Sequence, residues 1–318
     1  MKRTGFLLLL TTAMALVSAA PSDAQKRRIP LYKIEVLGGG VADPFRINDQ
    51  GVISGHLGSD AVLIFESGVE VLWRGRADDI NASGQVVGSS DGQAVTMLDG
   101  AGTVLGAGAA RGLNDAGDIV GHSGAGATLW RHDGTEVLLA NVGTSDIVAE
   151  DINNVGLIVG AGREFASGPY HAVIWEEGLA RLLPALAVDG CPGDFVCGSR
   201  AHRINSSGHV VGTSDVPSGT VHAVIWIDDD PVDLGTLGGS ATASEGRGIN
   251  DAGWAVGDSD SRAFVFNGTQ MYDLITLIRG RNPFTGLTTA QSINNNGDIV
   301  GVGLVGGELR GFLARRMR

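Results

Sequence analysis

One nine-residue phrase constrains this chain more than anything else in it. "INNNGDIVG" at residues 293–301 recurs as "INDQGVISG" (47–55), "INASGQVVG" (80–88), "LNDAGDIVG" (113–121), "INNVGLIVG" (152–160), "INSSGHVVG" (204–212) and "INDAGWAVG" (249–257). The seven copies share the pattern [IL]-N-x-x-G-x-[VIA]-[VS]-G, and their Asn residues stand 33 to 52 residues apart. Repetition at such a period implies one supersecondary unit stacked on copies of itself. Taken alone, the phrase looks like a metal or phosphate loop. The residue after its first Gly argues against that, because it is Asp in some copies and Val, Gln, Leu, His or Trp in others.

The chemistry of the phrase is that of a hairpin turn. Asn at the first position accepts hydrogen bonds from backbone two residues on, and Gly at the fourth adopts a left-handed conformation. Asn48, Asn81, Asn114, Asn153, Asn205, Asn250 and Asn294 are therefore read as structural turn residues. On that reading an Asn→Ala change costs about 1 kcal/mol. A β-branched residue in place of the first Gly costs on the order of 1–2 kcal/mol.

Two further elements follow each turn. An apolar stretch appears as "HAVIW" (171–175 and 222–226), "AVLIF" (61–65), "QAVTM" (93–97), "GATLW" (126–130), "RAFVF" (262–266) and "RGFLA" (310–314). Behind it come "VEVLW" (69–73), "TVLGAG" (103–108), "EVLLA" (136–140), "ARLLPAL" (180–186), "PVDLGTLGG" (231–239) and "MYDLITLI" (271–278). The unit thus reads as four short strands, the signature of a propeller blade. The 50 Gly and the 43% apolar content agree with short strands and tight turns. The fourth strand is missing after the last repeat, but "YKIEVLGGG" (32–40) precedes the first. The expectation is an all-β, seven-bladed β-propeller occupying residues 25–318 as one domain. Tyr32 to Leu37 is expected to pair antiparallel with the strand around Gly311 to Ala314 and close the ring.

The combination "HAVIW … DLGTLGGSATASEGRGINDAGWAVG" resembles the HAF-type extracellular repeat family of bacteria. The resemblance covers nearly the whole chain after residue 24, most strongly in the fifth and sixth repeats. It implies export and a β-repeat architecture, and it brings no catalytic residues with it.

The N-terminus agrees with export. Lys2 and Arg3 precede an apolar run from Phe6 to Val17, and Ser22-Asp23-Ala24 fits a small-x-small cleavage site. The run is too short for a span of about 20 residues. Residues 1–24 are read as a signal peptide, giving a secreted or periplasmic protein with no membrane span. Removing them takes away Lys2, Arg3 and Asp23, so a net charge of −12 becomes −13. Such a chain repels phosphate backbones, and nucleic acid is not an expected partner. Cys191 and Cys197 are the only cysteines. In an oxidising compartment they are expected to form one local disulfide.

Function is less legible. The positions three before each turn Asn are Phe45, Asp78, Arg111, Glu150, His202, Arg247 and Gln291. On the innermost strands these would ring the axis. Asp78, Arg111, Glu150, His202, Arg247 and Gln291 are the candidate ligand-binding ring. The alternative is a self-satisfied charge network with Arg111 paired between two carboxylates. The irregular segments, such as 161–171 and 279–291, gather on the face opposite the turns, where any site is expected. No HExxH or Walker loop occurs. No catalytic residue, metal or cofactor is expected. The leading function is an exported, monomeric, non-enzymatic binding or structural module for a glycan, polymer or protein. The alternative is an extracellular enzyme acting on a polysaccharide or another polymer, an argument from fold alone.

Overall fold

The computed structural model describes residues 29–38, 42–143, 146–186, 197–239 and 242–317. The signal segment expected over residues 1–24 lies outside them, as does Cys191. The described residues are all-β, with a single 3-10 turn at Leu274–Leu277.

Each repeat folds from its turn outward. In the repeat of Asn205, Gly208 N donates to Asn205 O (3.1 Å) and Asn205 N to His209 O (3.0 Å). Asn205 Oδ1 accepts from Ser207 N and His209 N. The bond from the fourth residue on is present in all seven turns, at 2.9–3.0 Å. Gly208 sits at φ 84°, where a side chain would be strained.

The turn Asn does more than the turn requires. Its Nδ2 donates to the main-chain oxygen of the corresponding Asn in the next repeat. The chain of contacts runs Asn48 to Asn81, Asn114, Asn153, Asn205, Asn250 and Asn294, and from Asn294 back to Asn48. All seven bonds measure 3.0–3.3 Å, and every Asn in the ring is buried. The expected contribution of about 1 kcal/mol per Asn counted only the local turn, and the ring adds a second bond for each.

The expectation of seven separate blades is not met. Five four-stranded antiparallel blades form, within residues 42–74, 147–182, 199–233, 245–273, and 286–316 together with Tyr32–Val36. Residues 76–138 instead make one seven-stranded sheet. The cause is the strand Ala101–Leu113, which serves two repeats without interruption. Ala107 still pairs with Gln93, while Gly108 already pairs with Ser123. Elsewhere a linker or bend separates one repeat from the next. Here the small residues of "GAGAA" let the strand bend while its ladder continues.

Tyr32–Val36 pairs antiparallel with the last strand, from Tyr32 opposite Arg316 to Val36 opposite Phe312. Leu37 N donates to Gly311 O, and Arg279 N to Tyr32 O. The first and last parts of the chain thus share one blade.

The core lies between blades. Ala172 and Ile174 pack with Val210 and Trp226 of the following repeat, whereas Val173 and Trp175 pack with Val120 and Leu129 of the preceding one. Burial on both faces explains why "HAVIW" shows no polar alternation. Trp175 Nε1 donates to Ala140 O and Trp226 Nε1 to Pro184 O, both at 2.7 Å, so the large rings are buried with their polar atoms paired.

Two outcomes are expected in urea denaturation. Asn205→Ala should lower stability by about 2–4 kcal/mol, because it strips hydrogen bonds from buried backbone on two repeats. Asn205→Asp, an equally good turn former, should cost a similar amount because it lacks the donor to Asn250. Tyr32→Ala should cost about 3–5 kcal/mol by emptying a fully buried aromatic site. Tyr32→Phe should be near neutral, since the buried hydroxyl bonds to no described residue.

Candidate functional site

The inner strand of every repeat carries the same irregularity. In the strand Ile147–Ile152, Ala149 pairs with Gly160 and Asp151 with Val159, so Glu150 is skipped. The skipped residue elsewhere is Phe45, Asp78, Arg111, His202, Arg247 or Gln291. Each is the extra residue of a β-bulge, which re-aims side chains at the expense of the ladder. The seven bulges coincide with the seven positions singled out by counting back from the turn Asn.

The last glycine of the repeated phrase exists because of this bulge. A Cβ on Gly212 would lie 1.9 Å from Arg200 O, and one on Gly160 2.0 Å from Val148 O. The bulged strand presses its backbone onto the neighbouring strand there, and only hydrogen fits.

All seven skipped residues line one cavity of about 280 Å³, together with Arg76, Arg203 and Glu245. Two layers lie between it and the turn face. The first is built by the residues that follow the bulges. Arg46 Nε meets Asp79 Oδ1 at 2.8 Å and its Nη2 meets Asp151 at 3.6 Å. Asp79 also accepts from Ile80 N and Leu113 N, and Asp151 from Ile204 N. The second layer is the Asn ring, which with Arg46 and Asp79 lines a separate hollow on the turn face. The larger cavity is therefore blind on that side.

The charges around it are only partly matched. Arg76 sits 3.0 Å from Asp78 and stacks over Phe45 at 4.3 Å. Arg247 is held between Glu245 (2.7 Å) and Asp258 (2.9 Å). Arg111 approaches Asp78 only to 3.9 Å and forms no ion pair with Glu150. The expected network, with Arg111 between two carboxylates, is not what forms. Arg203 donates to the backbone oxygens of Glu150 and His202. Asp78 Oδ2, Arg111 Nε and Arg203 Nε are buried without a hydrogen-bond partner among the described residues. Burial raises the Asp78 carboxyl above its ordinary range, against the pull of Arg76, Arg111 and Arg203. His202 Nδ1 lies 2.8 Å from Gly246 O, so it carries the proton and donates. Burial lowers the His202 imidazole to about 4.

Sequence reasoning missed Arg46, Asp79, Asp151 and Arg203, which follow the bulged residues. A regular strand would send neighbouring side chains to opposite faces. The available signal was the run of two polar residues, as in Asp78-Asp79, Glu150-Asp151 and His202-Arg203, where an inner strand should alternate. Away from the axis, one irregular segment shows a satisfied cluster. Tyr170 lies between Arg163 (4.2 Å) and Arg200 (3.7 Å), and its hydroxyl meets Asp146. No group of three or more potential metal ligands occurs among the described residues. No helix among them is long and apolar enough to cross a membrane.

No family model matches the chain, and no curated protein matches it. Among solved structures it is similar to a streptogramin B lyase, at 13% identity over 90% of this chain and 98% of that one, with a TM-score of 0.51. It is also similar to the WD40 β-propeller domain of Doa1, at 16% identity over 88% of this chain and 96% of that one, with a TM-score of 0.50. The chain is a β-propeller. At these identities the likeness extends to the propeller fold alone.

Two outcomes follow from this geometry. Gly212→Ala should cost about 3 kcal/mol, because backbone must move to admit the Cβ. Gly208→Ala, whose site has room, should cost about 1 kcal/mol. The second concerns pH. Folded protein keeps His202 neutral where the unfolded chain takes up a proton, so stability should fall as pH drops from about 6.5 toward about 4 and level off below. Subtracting the urea-denaturation profile of His202→Gln should isolate this component, on the order of 2 kcal/mol.

Proposed function

We propose that this propeller is an exported, non-enzymatic binding module whose ligand occupies the axial cavity. One observation carries the reading. Seven bulges aim one residue from every repeat at a single blind cavity, and several of the polar groups there lack partners among the described residues. A charge network serving only stability would satisfy its own members. Because the cavity is closed toward the turn face, it suits a small molecule or the end of a chain, not an internal stretch of polymer. Export rests on the N-terminal sequence and on the resemblance to HAF-type repeats. It assigns the protein to the secreted or periplasmic fraction, where a Cys191–Cys197 disulfide would pin the insertion before the fifth repeat. Alkylation and intact-mass measurement of the exported protein should then find no free thiol.

A second reading has its own observation. Asp78, Glu150, Glu245 and His202 converge on the cavity, and carboxylates so gathered can perform acid–base chemistry on a glycan end. One experiment separates the two. Purified residues 25–318 are screened against immobilised glycans, polymers and small metabolites, scoring retention and turnover together. The binding module predicts retention without turnover, lost in the Arg111→Gln, Glu150→Gln double variant. Turnover would establish the enzyme, and retention indifferent to both substitutions would move the site away from the axis.

A further inference from the structure

Building on the axial binding reading, we infer that the ligand is a small zwitterion of amino-acid or short-peptide size, its carboxylate held by Arg111 and Arg203 and its ammonium by Glu150. Some of the charged groups in the cavity are paired and others are not. Arg76 has Asp78, and Arg247 has Glu245 and Asp258. Arg111 makes no hydrogen bond to a described residue; its one ion pair is the long approach to Asp78 at 3.9 Å, and its side chain is 33% exposed. Arg203 meets only backbone oxygens and carries a buried, unbonded Nε. Two guanidinium groups with free N–H donors are suited to a carboxylate, which they bind through paired, charge-assisted hydrogen bonds.

The acceptors point to the other half of the ligand. The side-chain carboxylate of Glu150, two repeats from Asp78, forms no ion pair or hydrogen bond with a described residue, although it lines the same cavity. Asp78, by contrast, is 5% exposed and already has Arg76 at 3.0 Å and Arg111 at 3.9 Å. The Glu150 carboxylate is the acceptor left over, and a carboxylate inside a cavity is costly unless a donor reaches it. A simple anion would satisfy the arginines and leave Glu150 facing negative charge. A simple amine would do the reverse.

The charge balance agrees. Of the residues lining the cavity, Arg76, Arg111, Arg203 and Arg247 carry positive charge and Asp78, Glu150 and Glu245 negative charge, while His202 is neutral near pH 7. The wall is almost neutral overall yet strongly polar, which suits a ligand that is itself neutral and dipolar. The cavity volume of about 280 Å³ admits a molecule of this size.

The test is calorimetric titration of purified residues 25–318 with L-amino acids and dipeptides, each beside two truncated analogues. One analogue lacks the ammonium (succinate for aspartate, isocaproate for leucine), and the other lacks the carboxylate (isoamylamine for leucine). The expectation is saturable binding of at least one zwitterion, at least tenfold tighter than either analogue. Arg111→Gln should weaken the zwitterion and its carboxylate analogue together by at least tenfold. Glu150→Gln should weaken the zwitterion by at least tenfold and leave the carboxylate analogue within twofold. Circular dichroism and urea titration of both variants check that the fold is retained. If a carboxylate analogue binds as tightly as the zwitterion, the cavity is an anion site and the zwitterion inference fails. If a monosaccharide binds in an Arg111-sensitive manner and no zwitterion does, the ligand class is wrong while the axial site stands. If whatever binds is indifferent to both substitutions, the axial site itself is wrong.

Discussion

The fold depends on a ring of hydrogen bonds one residue thick. Each turn Asn uses its side-chain oxygen to shape its own hairpin and its side-chain nitrogen to hold the next repeat. Few side chains can do both. Asp lacks the donor, Ser lacks the second arm, and Gln would place both groups a methylene too far out. Because the last Asn donates to the first, local turns become a closed circuit joining residues 246 positions apart. Every member is buried, so each bond is shielded from competition by water, and each would leave unpaired backbone if broken.

Above that circuit the inner strands cannot continue as regular ladders. The bulge lets two successive side chains face the axis, and the two are put to different uses. The residue nearer the turn builds the layer of Arg46, Asp79 and Asp151, whose carboxylates are anchored by backbone amides of neighbouring repeats. The residue farther away lines the open cavity. One irregularity, repeated, supplies both a stable plug and a set of functional groups. The cost of admitting it is the invariance of the glycine beneath, where the opposing backbone leaves no space for a methyl group.

Placing charged groups on the axis rather than in loops also makes their positions rigid. Loops on a scaffold vary at little expense. The axial side chains instead stem from the most constrained strand of every blade, between the Asn ring and the hydrophobic layers that separate the blades. Such a site changes through identity of side chain, not through backbone rearrangement. The spread among equivalent positions, from Phe45 to Asp78 to Arg111, shows that the architecture accepts aromatic, acidic and basic side chains there.

Local physics was legible in the sequence because it repeats. The turn, the order of four strands, the use of "YKIEV" to complete the last blade, and the axial placement of Asp78, Arg111, Glu150, His202, Arg247 and Gln291 all follow from spacing and residue type. The tertiary structure alone decided what depends on neighbours. The Asn side chain serves a second repeat, which no single hairpin reveals. The strand Ala101–Leu113 runs through two repeats and fuses what the spacing separated into blades, because nothing in "GAGAA" forces the ladder to stop. The bulge turned Asp79, Asp151 and Arg203 inward, against the alternation an unbroken strand would impose. Which charges are paired and which are left over was likewise a matter of three dimensions. A list of residues gives the charges of a ring, but only their distances across the axis give its unmet hydrogen bonds.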